Sequence, residues 1–374
     1  MDNRPFIFGT TASGENFTDR VEETSHLLAN LTHGINTILI SPRRWGKTSL
    51  VQKVGKMAQS EKLKVLHLDI FACRNEDEFY QSFASAVLKQ TSSKYEEWID
   101  SAKSFLSRLA PTFSFGPDPN ADFSMSLNLK PKQENVEDVL MLPESIAKKK
   151  GINIVICIDE FQQIAEFSDS KTFQKRLRSV WQLQECVSYC LFGSKKHLMN
   201  ELFAKSSYPF YKFGDVVNLP KIPTEDWIAY ICERFKSTGK CVSKEIAERI
   251  CKAVDNNSSY VQQLAWLLWT HTTKVADEEG FALSCQEIID HNSFLFEKQT
   301  ENLTANQMNF LLAIADGVHN GFSSQAVIEK YHFGSSANIN IIKQSLFKKE
   351  LIDVEGKDIV LADPVMSLWL KTIK

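Results

Sequence analysis

Thr37-Ile38-Leu39-Ile40-Ser41-Pro42-Arg43-Arg44-Trp45-Gly46-Lys47-Thr48-Ser49-Leu50 is the stretch from which the fold follows. Its first four residues are apolar or β-branched, the composition of a central parallel strand buried on both faces. They run into a Gly-Lys-Thr loop, after which Leu50, Val51 and Val54 recur at helical spacing. Strand, loop and helix in that order make a phosphate-binding element, in which backbone N–H groups and a helix N-terminus surround nucleotide phosphates. Ser41, Pro42, Arg43, Arg44, Trp45, Gly46 and Ser49 would then cradle the phosphates. Lys47 would reach the β- and γ-phosphates, and the Thr48 hydroxyl would ligate Mg²⁺. Gly-Lys-Thr by itself is expected by chance in roughly one chain in five of this length, so the flanking pattern carries the assignment. Position 41 holds serine where the pattern has glycine. If that position requires left-handed backbone, the serine costs about 1–2 kcal/mol and weakens a micromolar site roughly ten- to thirtyfold.

A phosphate loop needs a carboxylate partner. Ile152-Asn153-Ile154-Val155-Ile156-Cys157-Ile158-Asp159-Glu160-Phe161 supplies one, as an apolar strand ending in two acids. Ligands of open parallel sheets bind outside the carboxyl ends of the strands, so one crevice can hold both motifs. Asp159 would hold Mg²⁺ and Glu160 would orient or deprotonate the attacking water. The alternative is an acidic pair that caps the next helix. A third apolar strand, Val187 to Phe192, ends in Gly193-Ser194, and Ser194 is placed either to sense the γ-phosphate or to cap a helix from Lys195. With strands near 37, 65, 152, 187 and 215, the fold class is α/β, a five-stranded parallel sheet with helices on both faces.

Around this core, 374 residues suggest two or three domains, and a 43% apolar share supports sizeable cores. A net charge of −3 gives no global basic field for nucleic acid or anionic membrane. Eight cysteines without a CxxC pair suggest reduced thiols. The N-terminus lacks an apolar signal segment and no run is long enough for a membrane helix, so a cytoplasmic protein with no membrane partner is expected.

Helices are expected near 76–90, 91–111 and 136–149, with a β-hairpin insertion near 112–129 read from Phe113-Ser-Phe115 and Phe123-Ser-Met125-Ser-Leu127. Residues 1–222 would form the core. Residues 223–300 read as a helical lid, with starts at Thr224 and Ser243 and a largely apolar segment over 258–274. Residues 301–374 read as a winged helix-turn-helix, with helices near 304–316, 323–331 and 335–349 before two short strands around Gly356. That last part carries seven lysines against eight acids, and Glu355-Gly356-Lys357-Asp358 would bring acids toward a phosphate backbone. The charge favours a protein partner there over DNA.

These features resemble the prokaryotic archaeal-type P-loop ATPases of the AAA+ and STAND lineage, related to initiator ATPases. The likeness rests on Arg43 to Leu50, Asp159-Glu160-Phe161-Gln162, Gly193-Ser194 with Met199 and Phe203, Tyr260-Val261-Gln262-Gln263, and Asp363-Pro364 with Trp369. Pro5-Phe6 and Phe17-Thr18-Asp19-Arg20 are similar to the family's entry segment, which implies that Phe17 and Arg20 lie near the adenine. The resemblance implies an ATPase core with a helical lid and a C-terminal winged helix, active with ATP and Mg²⁺ as a switch or remodeller; ATP or ADP and a further copy of the chain are the partners to expect. Three positions depart from the pattern: Ser41; Ser258-Ser259-Tyr260 where a Gly-x-Pro or Pro-Tyr opening is usual; and Lys212 where arginine is usual, which keeps the charge and loses the bidentate fork. Arg176, Arg178 or Lys212 would stabilise transition-state charge, in one subunit or across an interface.

Overall fold

Apolar runs that alternate with amphipathic helices form β1 (Thr37–Ile40), β2 (Leu63–Asp69), β3 (Asn153–Asp159), β4 (Val187–Gly193) and β5 (Asp215–Asn218). The computed structural model describes residues 4–12, 14–92 and 136–373. The hairpin expected near 112–129, and nearly all of the helix expected over 91–111, lie outside them. All five strands pair in parallel in the order β2-β3-β4-β1-β5. This order places β4 between β1 and β3. The carboxyl ends carrying Ser41, Asp159 and Ser194 therefore sit side by side.

Strand alternation divides the core into two faces. Ile38, Leu66, Leu68, Ile154, Ile156, Ile158 and Leu191 join one apolar cluster with Phe79, Phe83, Phe173, Leu177 and Trp181. The helices of that cluster are α3 (Glu76–Thr91), Val136–Lys150 and Ser170–Trp181. The opposite face receives α2 (Lys47–Ala58), whose Gly55 lies against Val65 and His67. Helix α1 (Val21–Thr32) packs beside α2, with Leu27 and Leu31 buried.

The described residues divide into two compact units, Arg20–Pro220 and a second made of the chain up to Asp19 and from Lys221 onward. The first residues, expected with the α/β core, group with the C-terminal unit. Phe6 packs edge-on to Tyr230 and against Phe235, and Arg234 Nε donates to the Pro5 carbonyl at 2.8 Å. The helix expected from Thr224 spans Thr224–Ser237, with Pro223 rather than Thr224 at the cap. Ser243 caps Lys244–Ala253 through a bond from Ile246 N, and Asn257 caps Ser258–His271. Three helices, Ala305–Ala315, Gln325–Lys330 and Ser336–Lys348, lead to the antiparallel pair β6 (Ile352–Glu355) and β7 (Asp358–Leu361). Ile359 N donates to His319 O at 2.8 Å, which ties β7 to the turn after Ala305–Ala315. No helix among the described residues is long and apolar enough to cross a membrane.

Candidate functional site: a phosphate loop and two acids

The loop after β1 turns through left-handed backbone at Arg44 (φ 66°) and Gly46 (φ 88°), and α2 starts at Lys47. Ser41 has ordinary negative φ, so the cost expected of a serine at this position does not arise. It is 1% exposed, and its hydroxyl donates to Pro42 O at 3.2 Å. Lys47 is buried and folds back over the loop, donating to Ser41 O and Pro42 O at 2.9 Å each. Burial lowers the Lys47 pKa to about 8, against the pull of Glu160 and Asp159, while Arg43 reinforces the drop. An ammonium held only by two neutral carbonyls in a desolvated loop has strong cause to take an anionic partner.

Opposite the loop, Thr48 Oγ1 donates to Asp159 Oδ2 at 2.9 Å and joins two motifs 111 residues apart. Burial raises the Asp159 pKa to about 6, opposed by the bonds it accepts from Thr48 and from Glu160 N. Glu160 sits on left-handed backbone (φ 53°) at the start of a short 3-10 helix, Phe161–Glu166, and makes no capping bond. Its Oε2 accepts from Ser194 Oγ at 2.9 Å and from Gln162 Nε2. Ser194 accepts in turn from Arg43 Nε at 3.3 Å. The capping role open to Ser194 is not taken up. The helix that follows, Lys196–Ala204, has Lys195 at its cap and no side-chain capping bond. A continuous path thus runs from the phosphate loop through Arg43 and Ser194 to Glu160.

Arg20 reaches the same loop from α1. It is 3% exposed, with Nη1 donating to Pro220 O at 2.6 Å and to Glu23 at 3.0 Å, and Nη2 to Trp45 O at 3.2 Å. It holds the loop backbone against the end of the unit, a positioning role that sequence distance conceals. Phe17 belongs to the other unit, where its N donates to Gly14 O at 3.2 Å. Arg176 is engaged with Glu76 at 3.1 Å and the Tyr80 hydroxyl at 3.3 Å. Arg178 lies over the Phe213 ring, 4.8 Å from its centre, and Lys212 over that of Tyr211 at 5.4 Å.

The Thr48 hydroxyl and Asp159 carboxylate are hard oxygen donors at hydrogen-bond distance, a pair that fits Mg²⁺ shared with substrate phosphates and water. Among the described residues no group of three or more His, Cys, Asp or Glu side chains makes a self-sufficient metal site.

Residues 294–372 match the family model described as "probable winged helix domain". No curated protein matches the chain at a significant level of sequence similarity. Among solved structures, the Walker-type ATPase of Pyrococcus abyssi is similar at 17% identity and TM-score 0.70, over 98% of this chain and 99% of that one. The Aeropyrum pernix ORC2 protein in its ADPNP-ADP complexes is similar at 15% identity and TM-score 0.59, over 100% of this chain and 97% of that one. The Aeropyrum pernix ORC1 protein in complex with DNA follows at 12% identity and TM-score 0.50, over 96% and 94%. At these identities the likeness is one of fold. The five-stranded sheet, its helices and the matched C-terminal domain give this chain the architecture of the archaeal P-loop ATPases that carry a C-terminal winged helix.

Proposed function

We propose that the chain binds ATP with Mg²⁺ and hydrolyses it slowly, using nucleotide state to control a C-terminal partner-binding domain. The observation that carries this reading is the 2.9 Å contact between Thr48 and Asp159, which unites the phosphate loop and the acidic strand end. Lys47 exchanges its two loop carbonyls for the β- and γ-phosphates, and backbone N–H groups from Arg43 to Ser49 take the remaining phosphate oxygens. Thr48 and Asp159 would hold Mg²⁺, which would offset the charge that develops on the phosphates. Glu160 orients or deprotonates the attacking water, and Ser194, bonded to Glu160 and Arg43, senses the γ-phosphate. Arg176 and Arg178 are engaged elsewhere and Lys212 lies over the Tyr211 ring, so the charge-stabilising cation comes from a second copy or is lacking. An absent arginine of this kind costs about 10³–10⁵ in rate, which makes turnover slow.

For the partner, a protein is the better fit. The helix Ser336–Lys348 exposes Ile341 (67% exposed) together with Asn340 and Gln344, and the adjoining strands meet at Glu355-Gly356-Lys357-Asp358. A duplex-binding helix would present more cations for phosphates than the two lysines, Lys343 and Lys348, that this one carries. The protein is expected to act in the cytoplasm. Lys47→Ala should weaken ATP binding at least a hundredfold in a fluorescent-nucleotide titration. Unchanged affinity would remove the assignment. Glu160→Gln should leave binding intact and abolish phosphate release; equal turnover in both proteins would point to a nucleotide-stabilised adaptor. Gel-shift binding to DNA at low salt, with or without ATP, would overturn the choice of partner.

A further inference from the structure

Gln162 is a buried polar side chain at the strand ends that the proposed chemistry leaves unused. It lies in the 3-10 helix after β3 and is 2% exposed. Its Nε2 donates to Glu160 Oε2, while its Oε1 is buried with no hydrogen-bond partner. A buried carbonyl left unsatisfied costs about 1–3 kcal/mol. The space for this amide depends on Gly193, because a Cβ there would overlap Gln162 Oε1 and come within 3.1 Å of Met199 Sδ. One strand end thus forgoes a side chain to admit a group that an apolar residue of the same shape would replace to the benefit of stability. Glu160 adds a second cost, since its left-handed backbone is unfavourable for a residue with a Cβ. Two unfavourable features on neighbouring residues, joined by one hydrogen bond, indicate a function that outweighs them.

We propose that Gln162 is the positioning residue for Glu160. Its amide and the Ser194 hydroxyl both donate to Oε2, which fixes the carboxylate from two sides and leaves Oε1 outside that pair of bonds as the oxygen that faces the attacking water. The donors come from two elements, the 3-10 helix and the end of β4, so the carboxylate cannot rotate without breaking one of them. The inference rests on the ATPase reading for its consequence and on the side-chain geometry for its substance.

Gln162→Met and Gln162→Leu keep the volume and remove both the donor and the unsatisfied carbonyl. In steady-state ATPase assays with Mg²⁺, either variant should lower kcat at least tenfold with KM within twofold of the parent, while its melting temperature holds or rises. A kcat within twofold of the parent overturns the inference, as does failure of both variants to fold, which would make the amide a structural group. If the parent chain binds ATP and does not turn it over, the ATPase reading fails separately. Crystal structures of the parent and Gln162→Met then decide: a displaced Glu160 carboxylate supports the positioning role, and an unmoved one overturns it.

Discussion

The left-handed backbone of the phosphate loop falls on Arg44 and Gly46, and Ser41 carries none of it. What position 41 supplies is a carbonyl for Lys47 and a buried side chain that bonds within the loop. Ser41→Gly should therefore leave ATP affinity within about twofold. It should lower stability by roughly 0.5–1 kcal/mol, because glycine loses more freedom on folding. A tenfold gain in affinity in the same titration would show that serine does strain the loop. The residue types of the site were legible in the sequence, since a Gly-Lys-Thr turn and an Asp-Glu pair each followed an apolar strand. Backbone torsion at Ser41 was not, because it depends on how the whole loop folds over Lys47. Nor was the choice at Ser194, whose capping and tertiary readings share one local sequence and differ only in the contact with Glu160. Gln162 went unassigned although a signal was there, a Gln two residues after the acid and a Gly immediately before Ser194.

At the scale of elements, β1 to β5 could be read because strands buried on both faces need continuous apolar runs. Their order could not, since pairing β4 between β1 and β3 is a matter of long-range contact. Arg20 is a further case: its partners Trp45 and Pro220 are 25 and 200 residues away. The helix that presents the phosphate loop has its own constraint. Gly55 of α2 comes so close to β2 that a Cβ would lie 3.1 Å from His67 Nε2 and 3.2 Å from Val65 Cγ1. Burial, with Lys56 nearby, holds the His67 pKa below its ordinary 6.5. The unfolded chain then binds this proton more readily than the native one, so stability is lost as pH falls through 6.5 and is unaffected well above it. Melting temperatures measured from pH 7.5 to 5.5 should fall more steeply for the parent than for His67→Gln. Parallel curves would mean that His67 protonates without penalty and that the contact with α2 gives way.

In the second unit, one apolar cluster runs from Phe6 and Trp227 through Leu264 and Phe296 to Phe310, Leu346 and Trp369. Lid and winged helix were separable in sequence because each has its own helical pattern. Their shared core was not, since the residues that join them lie about a hundred positions apart. Tyr260 Oη donates to Asp363 Oδ2 at 2.5 Å, Lys221 bridges Asp255 at 2.6 Å and Glu355 at 2.9 Å, and the rings of Phe296 and Trp369 lie 5.7 Å apart. The buried side chains of Tyr260, Phe296 and Trp369 and the shared apolar cluster make the lid and the winged helix one cooperative body. The prediction is a chain ending at Thr300. Removing the residues after it strips partners from Tyr260, Phe296 and the Lys221 bridge and exposes apolar surface worth about 25 cal/mol per Å². The remaining helices between Thr224 and Thr300 should lose cooperative structure, so the helical circular dichroism should fall by more than the deleted helices account for. A loss in proportion to the deletion would show a lid that folds alone.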